Sequence, residues 1–411
     1  MKTEICIIGA GPAGLTAAIF AGRCGAKTIL LEANASAGRK LLCTGAGRCN
    51  LTHNTDLNDF IRSYGPHSRF LRYAVHNFSP ALTRTFFAEL GLLTKAEPDG
   101  CVFPATYRAV DVKKALITKA KKIGVNFLYS SPAVDIQKAA QNFLVHTGKQ
   151  QIHTEKVIVA TGGLSWPDTG SRGDGYRFAQ KLGHKINQPK PVLVPLVTNQ
   201  TWPGDLAGTS LQNVTISAKI NNKGICLSGP MVFTHNGIGG PVVLDFSRFI
   251  TDLLPSPQSP VKVSIDLLPG IDPPAVDKMM LEQFEKHPRK SLVAIIAMFV
   301  PRRMATVLCR QFDFDAAAYG RQTNKKDRMR LVGLLKNLRL DITATRPLAE
   351  AIATRGGVAT EQINPKTMES KICPGLFFAG EIIDIDGPCG GYNLQICWST
   401  GALAGQTAAS K

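Results

Sequence analysis

The chain has 411 residues, 44% of them hydrophobic and 19% charged, which suits a globular protein of two or three domains and excludes a disordered or low-complexity chain. Its formal charge is +18, with 13 Lys/Arg against 5 Asp/Glu between Leu281 and Leu340, which means either a face for anionic substrates or nucleic acid, or a solvated basic surface; no aromatic stacking pattern or RNA-binding motif accompanies the charge. Leu292 to Val300, the longest apolar run near the middle, is too short to span a bilayer, and ten cysteines without a CxxC pair argue against a zinc site, any other metal site or a disulfide framework.

The first thirty-two residues organise the rest. Thr3 to Ile8 is a short β-branched run that predicts a buried parallel strand, entered so early that no signal peptide fits and a cytoplasmic location is expected. Gly9-Ala10-Gly11-Pro12-Ala13-Gly14 follows, then a helical pattern from Leu15 to Cys24, a second strand Thr28 to Leu31, and Glu32. In such a unit Gly9 permits the tight turn, Gly11 lets backbone approach a pyrophosphate and Gly14 lets helix pack on strand. Free N–H groups and the helix dipole favour the phosphates, and Glu32 is placed to accept from a ribose diol. A ligand with an ADP half is expected here.

Gly38-Arg39-Lys40 and Cys43-Thr44-Gly45-Ala46-Gly47-Arg48-Cys49-Asn50 come next. Small residues that expose backbone N–H groups, with Arg39, Lys40 and Arg48, supply what a pyrophosphate and an electron-rich ring system need from one side; a structural Ω-loop is the alternative. Asp59 to Leu92 predicts helix, Val110 to Ile123 an amphipathic helix and Val125 to Tyr129 a strand. Three short alternating pieces, Ala133 to Ile136, Asn142 to His146 and Gln151 to His153, predict a three-stranded antiparallel crossover, before a buried strand at Lys156 to Ala160 that ends in Thr161-Gly162-Gly163. Beyond Pro189 the segments Val192 to Val197, Val214 to Ile220, Gly224 to Thr234 and Val261 to Leu267 predict a small β-barrel or sheet, with a hairpin turn at Asn221-Asn222-Lys223-Gly224. Asp272 to Leu340 predicts helices. Gly375 to Glu381 is a last strand ending in an acid, Asp384 to Gly391 a glycine-rich turn, and Tyr392 to Ala404 a last helix.

Four separated elements resemble the two-dinucleotide-binding-domain flavoproteins: the Gly9–Gly14 fingerprint with Glu32, Gly38-Arg39-Lys40, Ala160-Thr161-Gly162 and Gly380-Glu381. More narrowly, Cys43 to Asn50, Ala160 to Pro167 and the run Gly380 to Gly401 resemble the BaiN/YhiN-like family of bacterial flavoproteins, over essentially the whole chain. The resemblance implies an α/β fold: a Rossmann-like FAD-binding domain of glutathione-reductase type (1–191 and 341–411), interrupted by a β-barrel insert (192–270) and a helical lobe (271–340). It implies FAD as cofactor, with Gly9, Gly11, Ala13 and Gly14 at the pyrophosphate, Glu32 at the ribose, and Arg39, Lys40, Gly45, Gly47, Cys49 and Asn50 along the cofactor. The backbone of Val134 would face the adenine, Thr161, Gly162 and Gly380 would line the cleft, and Glu381 would bond the ribityl chain. Gly391 and Asn393 would meet the flavin ring at the N-terminus of the last helix, and Asn393 would bond its edge.

No second GxGxxG sits between strand and helix, so NAD(P)H is expected as a transient electron donor without its own Rossmann domain. Cys43 and Cys49 are spaced more widely than in disulfide reductases, which favours two ordinary thiols over a redox pair. The function implied is an FAD-dependent oxidoreductase, reduced by NAD(P)H and passing hydride to a small organic substrate, as in the reductive steps of bile-acid dehydroxylation ascribed to some members. A tRNA-modifying flavoprotein and a non-enzymatic flavin-binding protein are the alternatives. Tyr392 and Cys389, at the turn before the last helix, are the candidates to supply a proton.

Overall fold

The opening apolar run forms strand β1 (Lys2–Ile8) in the computed structural model, which describes residues 1–220, 223–254 and 260–410. Helix α1 (Pro12–Arg23) and strand β2 (Thr28–Leu31) follow as the glycine spacing predicts. The expected long helix over Asp59 to Leu92 is three: α2 (Leu57–Arg62), α3 (Ser68–Asn77) and α4 (Pro80–Glu89). Proline explains the breaks, because Pro66 and Pro80 lack the N–H that a helix interior needs and stand instead at the start of a turn and of α4. Around these helices, β3 (Thr52–His53), β4 (Thr94–Ala96) and β5 (Cys101–Pro104) make a small antiparallel sheet.

Helix α5 (Ala109–Lys122) leads to β6 (Asn126–Leu128), and the antiparallel crossover is β7 (Ala133–Ala139), β8 (Asn142–Thr147) and β9 (Gln151–Val159). Two of the expected strands, Gln151 to His153 and Lys156 to Ala160, are one: the first half of β9 pairs with β8, and the whole strand lies parallel to β1. The central order β6-β2-β1-β9 is that of a parallel dinucleotide-binding sheet, buried on both faces. Helix α6 (Asp174–Lys181) and strand β10 (Ile186–Val192) end this part of the chain.

Residues Pro191–Ala351 form a compact unit of their own. Strands β11 (Leu196–Thr198), β12 (Ser210–Ile220), β13 (Lys223–Thr234), β14 (Gly237–Gly239), β15 (Val261–Asp266) and β16 (Leu338–Thr345) close a barrel in the order β11-β14-β13-β12-β15-β16. The stretch Val192 to Val197, expected as one strand, is divided between β10 and β11. The hairpin predicted at Asn221-Asn222 lies on residues outside the description, although its strands pair as far as Ile220 with Lys223. Helices α7 (Pro241–Ile250), α8 (Pro273–Lys286), α9 (Leu292–Ile296), α10 (Arg302–Gln311) and α11 (Lys325–Lys336) share one hydrophobic core with the strands, in which Ile216, Phe233, Ile265, Met304 and Leu335 are all buried. Thus the 270/271 division separates no second core, and the 340/341 division falls within β16, whose pairing with β11 and β15 closes the barrel.

The chain then rejoins the first unit, which is Met1–Lys190 with Ile352–Lys411. Strand β17 (Ala353–Val358) pairs with β10, β18 (Leu376–Phe378) extends the central sheet parallel to β9, and α12 (Tyr392–Ala409) packs on α1. Small residues permit that last contact. A Cβ on Gly401 or Gly405 would stand 2.5 or 2.3 Å from the carbonyl oxygens of Ala13 and Ala17. Among the described residues no helix is long and apolar enough to cross a membrane.

Candidate dinucleotide site

The three fingerprint glycines face three different surroundings. Gly9 has φ 101°, and a Cβ there would meet the Ala160 carbonyl oxygen at 2.5 Å; one on Gly14 would meet the Gly9 carbonyl oxygen at 1.8 Å. Gly11 faces open space, with nothing within 4 Å of a Cβ position. Two glycines therefore close the turn, and the third leaves room for a ligand. No side chain caps α1, and its first turn carries no acid, so its terminal N–H groups are available to an anion. Glu32 is buried at the end of β2, where its carboxylate accepts from Ala10 N at 3.2 Å and from Asn34 N and Nδ2, both at 2.8 Å. These bonds brace the turn and leave about one of roughly four carboxylate acceptor positions for a ribose hydroxyl. Thr161, beyond β9, has a buried hydroxyl with no partner among the described residues. An ADP-containing cofactor fits this donor and acceptor set.

Lys40 and Glu381, distant in sequence, form the electrostatic centre of the site. Lys40 Nζ donates to Glu381 Oε2 at 3.0 Å and to Ser165 Oγ at 3.1 Å. Ser165 Oγ donates to Glu381 Oε1 at 2.7 Å, as does Thr354 N at 2.9 Å, while Gly163 N reaches Oε2 at 3.4 Å. Burial alone would push the Glu381 carboxyl up; Lys40, Ser165 and the Thr354 N–H outweigh it and hold the carboxyl below its ordinary value. Glu381, expected at the ribityl chain, thus has its acceptor positions filled by the protein and ties the 161–165 loop to Lys40. Arg39 lies outside the cluster, donating to Asn34 Oδ1 at 2.7 Å from an exposed position. Arg48, expected to add charge beside the cofactor, stacks over the Phe103 ring at 4.7 Å.

The loop from Lys40 to Gly47 is a kinked 3₁₀ turn with Gly45 and Ala46 at positive φ, and Gly47 follows at φ 83°. Cys43 is exposed and Cys49 buried, and both are free. Burial pushes the Cys49 thiol up to about 12, against a nucleophilic or redox role. Asn50 is taken up locally: its Oδ1 accepts from Val102 N at 3.2 Å. Val134 is exposed at a bulge in β7, and its carbonyl accepts from Arg177 Nη1 at 3.1 Å, which leaves that oxygen one further lone pair.

At the other end of the first unit, Gly391 has φ 97° and caps α12 without a side-chain hydrogen bond. Tyr392 is only 7% exposed. Its ring lies between Phe60, at 4.5 Å between centroids, and His53, at 5.2 Å, and its carbonyl accepts from Tyr64 at 3.0 Å. Asn393 does not present a free amide to a flavin edge. Its Oδ1 accepts from Gly387 N at 2.9 Å, and its Nδ2 donates to the Gly387 and Pro388 carbonyls at 2.9 and 3.3 Å. Cys389 is half-buried in the same turn, and Gly162 and Gly380 both adopt positive φ at 77° and 78°.

Ser165, Thr354, His53 and the Arg355–Asp386 pair were not identified as site residues from the sequence. Arg355 Nε and Nη2 donate to the fully buried Asp386 at 2.8 and 3.1 Å. The pair of glycines after Arg355, at φ 90° and 125°, was the one available signal. His53 Nε2 donates to the Asp99 carbonyl at 3.0 Å, and its buried Nδ1 has no partner among the described residues.

Fold and site together define a Rossmann-type FAD-binding fold that carries a closed six-stranded barrel with helices. The chain belongs to the HI0933-like protein Rossmann domain family, whose model matches residues 3–407. It is 31% identical over 411 residues to the 3-dehydro-bile acid delta(4,6)-reductase of Clostridium scindens, covering 99% of each chain. It is 30% identical over 406 residues to the ribosomal RNA dihydrouridine synthase of Escherichia coli, covering 97% of this chain and 96% of that one. Among solved structures, the open conformation of a flavocytochrome c3 fumarate reductase is similar at a TM-score of 0.52 and 16% identity, over 99% of this chain and 78% of that one, which shows the shared fold.

Proposed function

We propose that the chain is an FAD-dependent reductase that saturates a carbon–carbon double bond conjugated to a carbonyl, with NAD(P)H as the electron donor. The observation that carries the cofactor is the open Gly11 position at the uncapped N-terminus of α1, beside Glu32. The substrate class is supported by the names of two relatives of similar identity. A reductase of the delta-4,6 bonds of a 3-dehydro bile acid and an enzyme that makes dihydrouridine both reduce a double bond activated by a carbonyl.

Gly9, Gly11, Ala13 and Gly14 would hold the pyrophosphate, Glu32 the ribose, and the α12 N-terminus at Gly391 the ring edge where negative charge builds on reduction. Arg39, Lys40, Gly45, Gly47, Cys49, Asn50, Val134, Thr161, Gly162, Gly380, Glu381 and Asn393 would line or brace the cofactor cleft. Bound there, FAD supplies hydride transfer between the nicotinamide and the substrate. The chain's own task is to hold the loop at 161–165 through the Lys40–Glu381 pair, to keep water from the site, and to place a proton donor, Tyr392 or Cys389, beside the substrate.

Release of FAD on denaturation, followed by anaerobic bleaching with NADH or NADPH and reoxidation by an enone steroid, tests the proposal. FMN in place of FAD, or a flavin that neither nicotinamide reduces, would overturn it. With no second dinucleotide fingerprint, initial rates are expected to give parallel double-reciprocal lines for nicotinamide and acceptor; intersecting lines would place the donor at a separate site. A second substrate, a uracil base within RNA, is favoured by the formal charge of +18.

A further inference from the structure

The outer wall of the barrel carries three cations on adjacent strands. Lys219 of β12, Lys262 of β15 and Arg339 of β16 are exposed, and none makes an ion pair or side-chain hydrogen bond among the described residues. With Ser217, Ser264 and Cys226 they line a surface groove of about 660 Å³, whose lining among the described residues has no carboxylate. Register brings the cations together. Ser217 pairs with Ser264, which pairs with Arg339, and continuing the β12–β15 register by one residue sets Lys219 beside Lys262.

Like charges opposed across strands repel, at a separation of about 5 Å, so the wall is built at a cost that a bound anion would relieve. Two acids stand nearby. Asp266 is paired with Lys336 Nζ at 2.7 Å, whereas Asp341, across from Lys262, accepts from the neutral amide of Gln200 Nε2 at 3.1 Å and keeps its charge, so the wall holds three cations against that one carboxylate. A small anion needs one concave cradle of donors. Here the cations run across three strands of an open wall beside serine hydroxyls, which suits successive phosphates of a strand.

We propose that this groove docks the phosphodiester backbone of RNA. The proposal deepens the RNA reading of the substrate, and its test reads binding alone, so its failure would leave the reductase assignment standing. The holoenzyme is titrated into a fluorescein-labelled single-stranded RNA oligomer, with anisotropy followed over a range of salt. Each phosphate contact contributes a slope of about −0.7 in log K against log salt, so Lys219→Glu, Lys262→Glu and Arg339→Glu together should remove about two units of slope. Lys262→Gln alone, the milder change, should remove roughly a third of that. A control with the same charge change, Lys278→Glu, Arg289→Glu and Lys290→Glu on other exposed positions of this unit, should leave the slope closer to that of the unaltered protein. Equal losses in groove and control variants would overturn the proposal. So would displacement of the oligomer by inorganic phosphate, at matched ionic strength, as effective as that by unlabelled RNA.

Discussion

Lys40 is one of three cations near the fingerprint, yet it alone of them pairs with Glu381, and that selects it as the residue on which the loop at 161–165 depends. Lys40→Met should cost on the order of 1.5–3 kcal/mol of stability, because it leaves a mostly buried carboxylate without its charged donor. Urea unfolding would check this, and an unchanged midpoint would remove the pair from the stability account. The pH dependence has a definite sign. Glu381 is held below its ordinary 4.5, so its contribution is full above that value and fades as pH falls through the lower folded value. Stability should therefore drop more steeply on acidification below about 4.5 in the unaltered protein than in Glu381→Gln. At Tyr392 stack and hydroxyl are separable. Tyr392→Phe keeps the ring between Phe60 and His53, and should slow acceptor-dependent reoxidation with nicotinamide-dependent reduction unaltered. Equal reoxidation rates would leave Cys389 as the donor to test.

At the scale of elements, the contact between α1 and α12 joins the two ends of the chain within the first unit. Gly405 stands where a Cβ would lie 2.3 Å from the Ala17 carbonyl, so Gly405→Leu must push the helices apart. A loss of about 1–3 kcal/mol is expected from such overpacking, read as a lowered melting temperature of the apoprotein. Gly14→Ala meets the Gly9 carbonyl still more closely and should yield protein without bound flavin; a normal flavin content would contradict the fit of the fingerprint.

For the whole molecule, two compact units joined by two crossings of the chain set where it should be cut first. Limited proteolysis is expected just before the second crossing, at the exposed Ala349 and Glu350, rather than near Pro189–Pro195, where β10 pairs with β17 and Val192, Leu193 and Val194 are fully buried. N-terminal sequencing of the first fragments checks this, and initial cleavage within Met1 to Glu32 would contradict it. Unit 2 has its own hydrophobic core, so its fragment should keep secondary structure by circular dichroism.

What the sequence determined by itself was local: the β1–α1–β2 unit, its glycines and Glu32 follow from periodicity and backbone sterics within about thirty residues. The barrel segments were likewise legible in most of their strands, as turn residues separate them. Closure through β16 was not, because Leu338 to Thr345 follows a helix and, besides β15, joins β11, which lies more than a hundred residues earlier. The site's electrostatics were decided only in three dimensions. Glu381 and Asn393 have the residue types of cofactor ligands, but whether their polar atoms face a ligand depends on which neighbours the fold supplies. The fold supplies Lys40, Ser165 and Thr354 to the one and the Gly387–Pro388 turn to the other, and a polar atom leaving water takes the partner that is within reach.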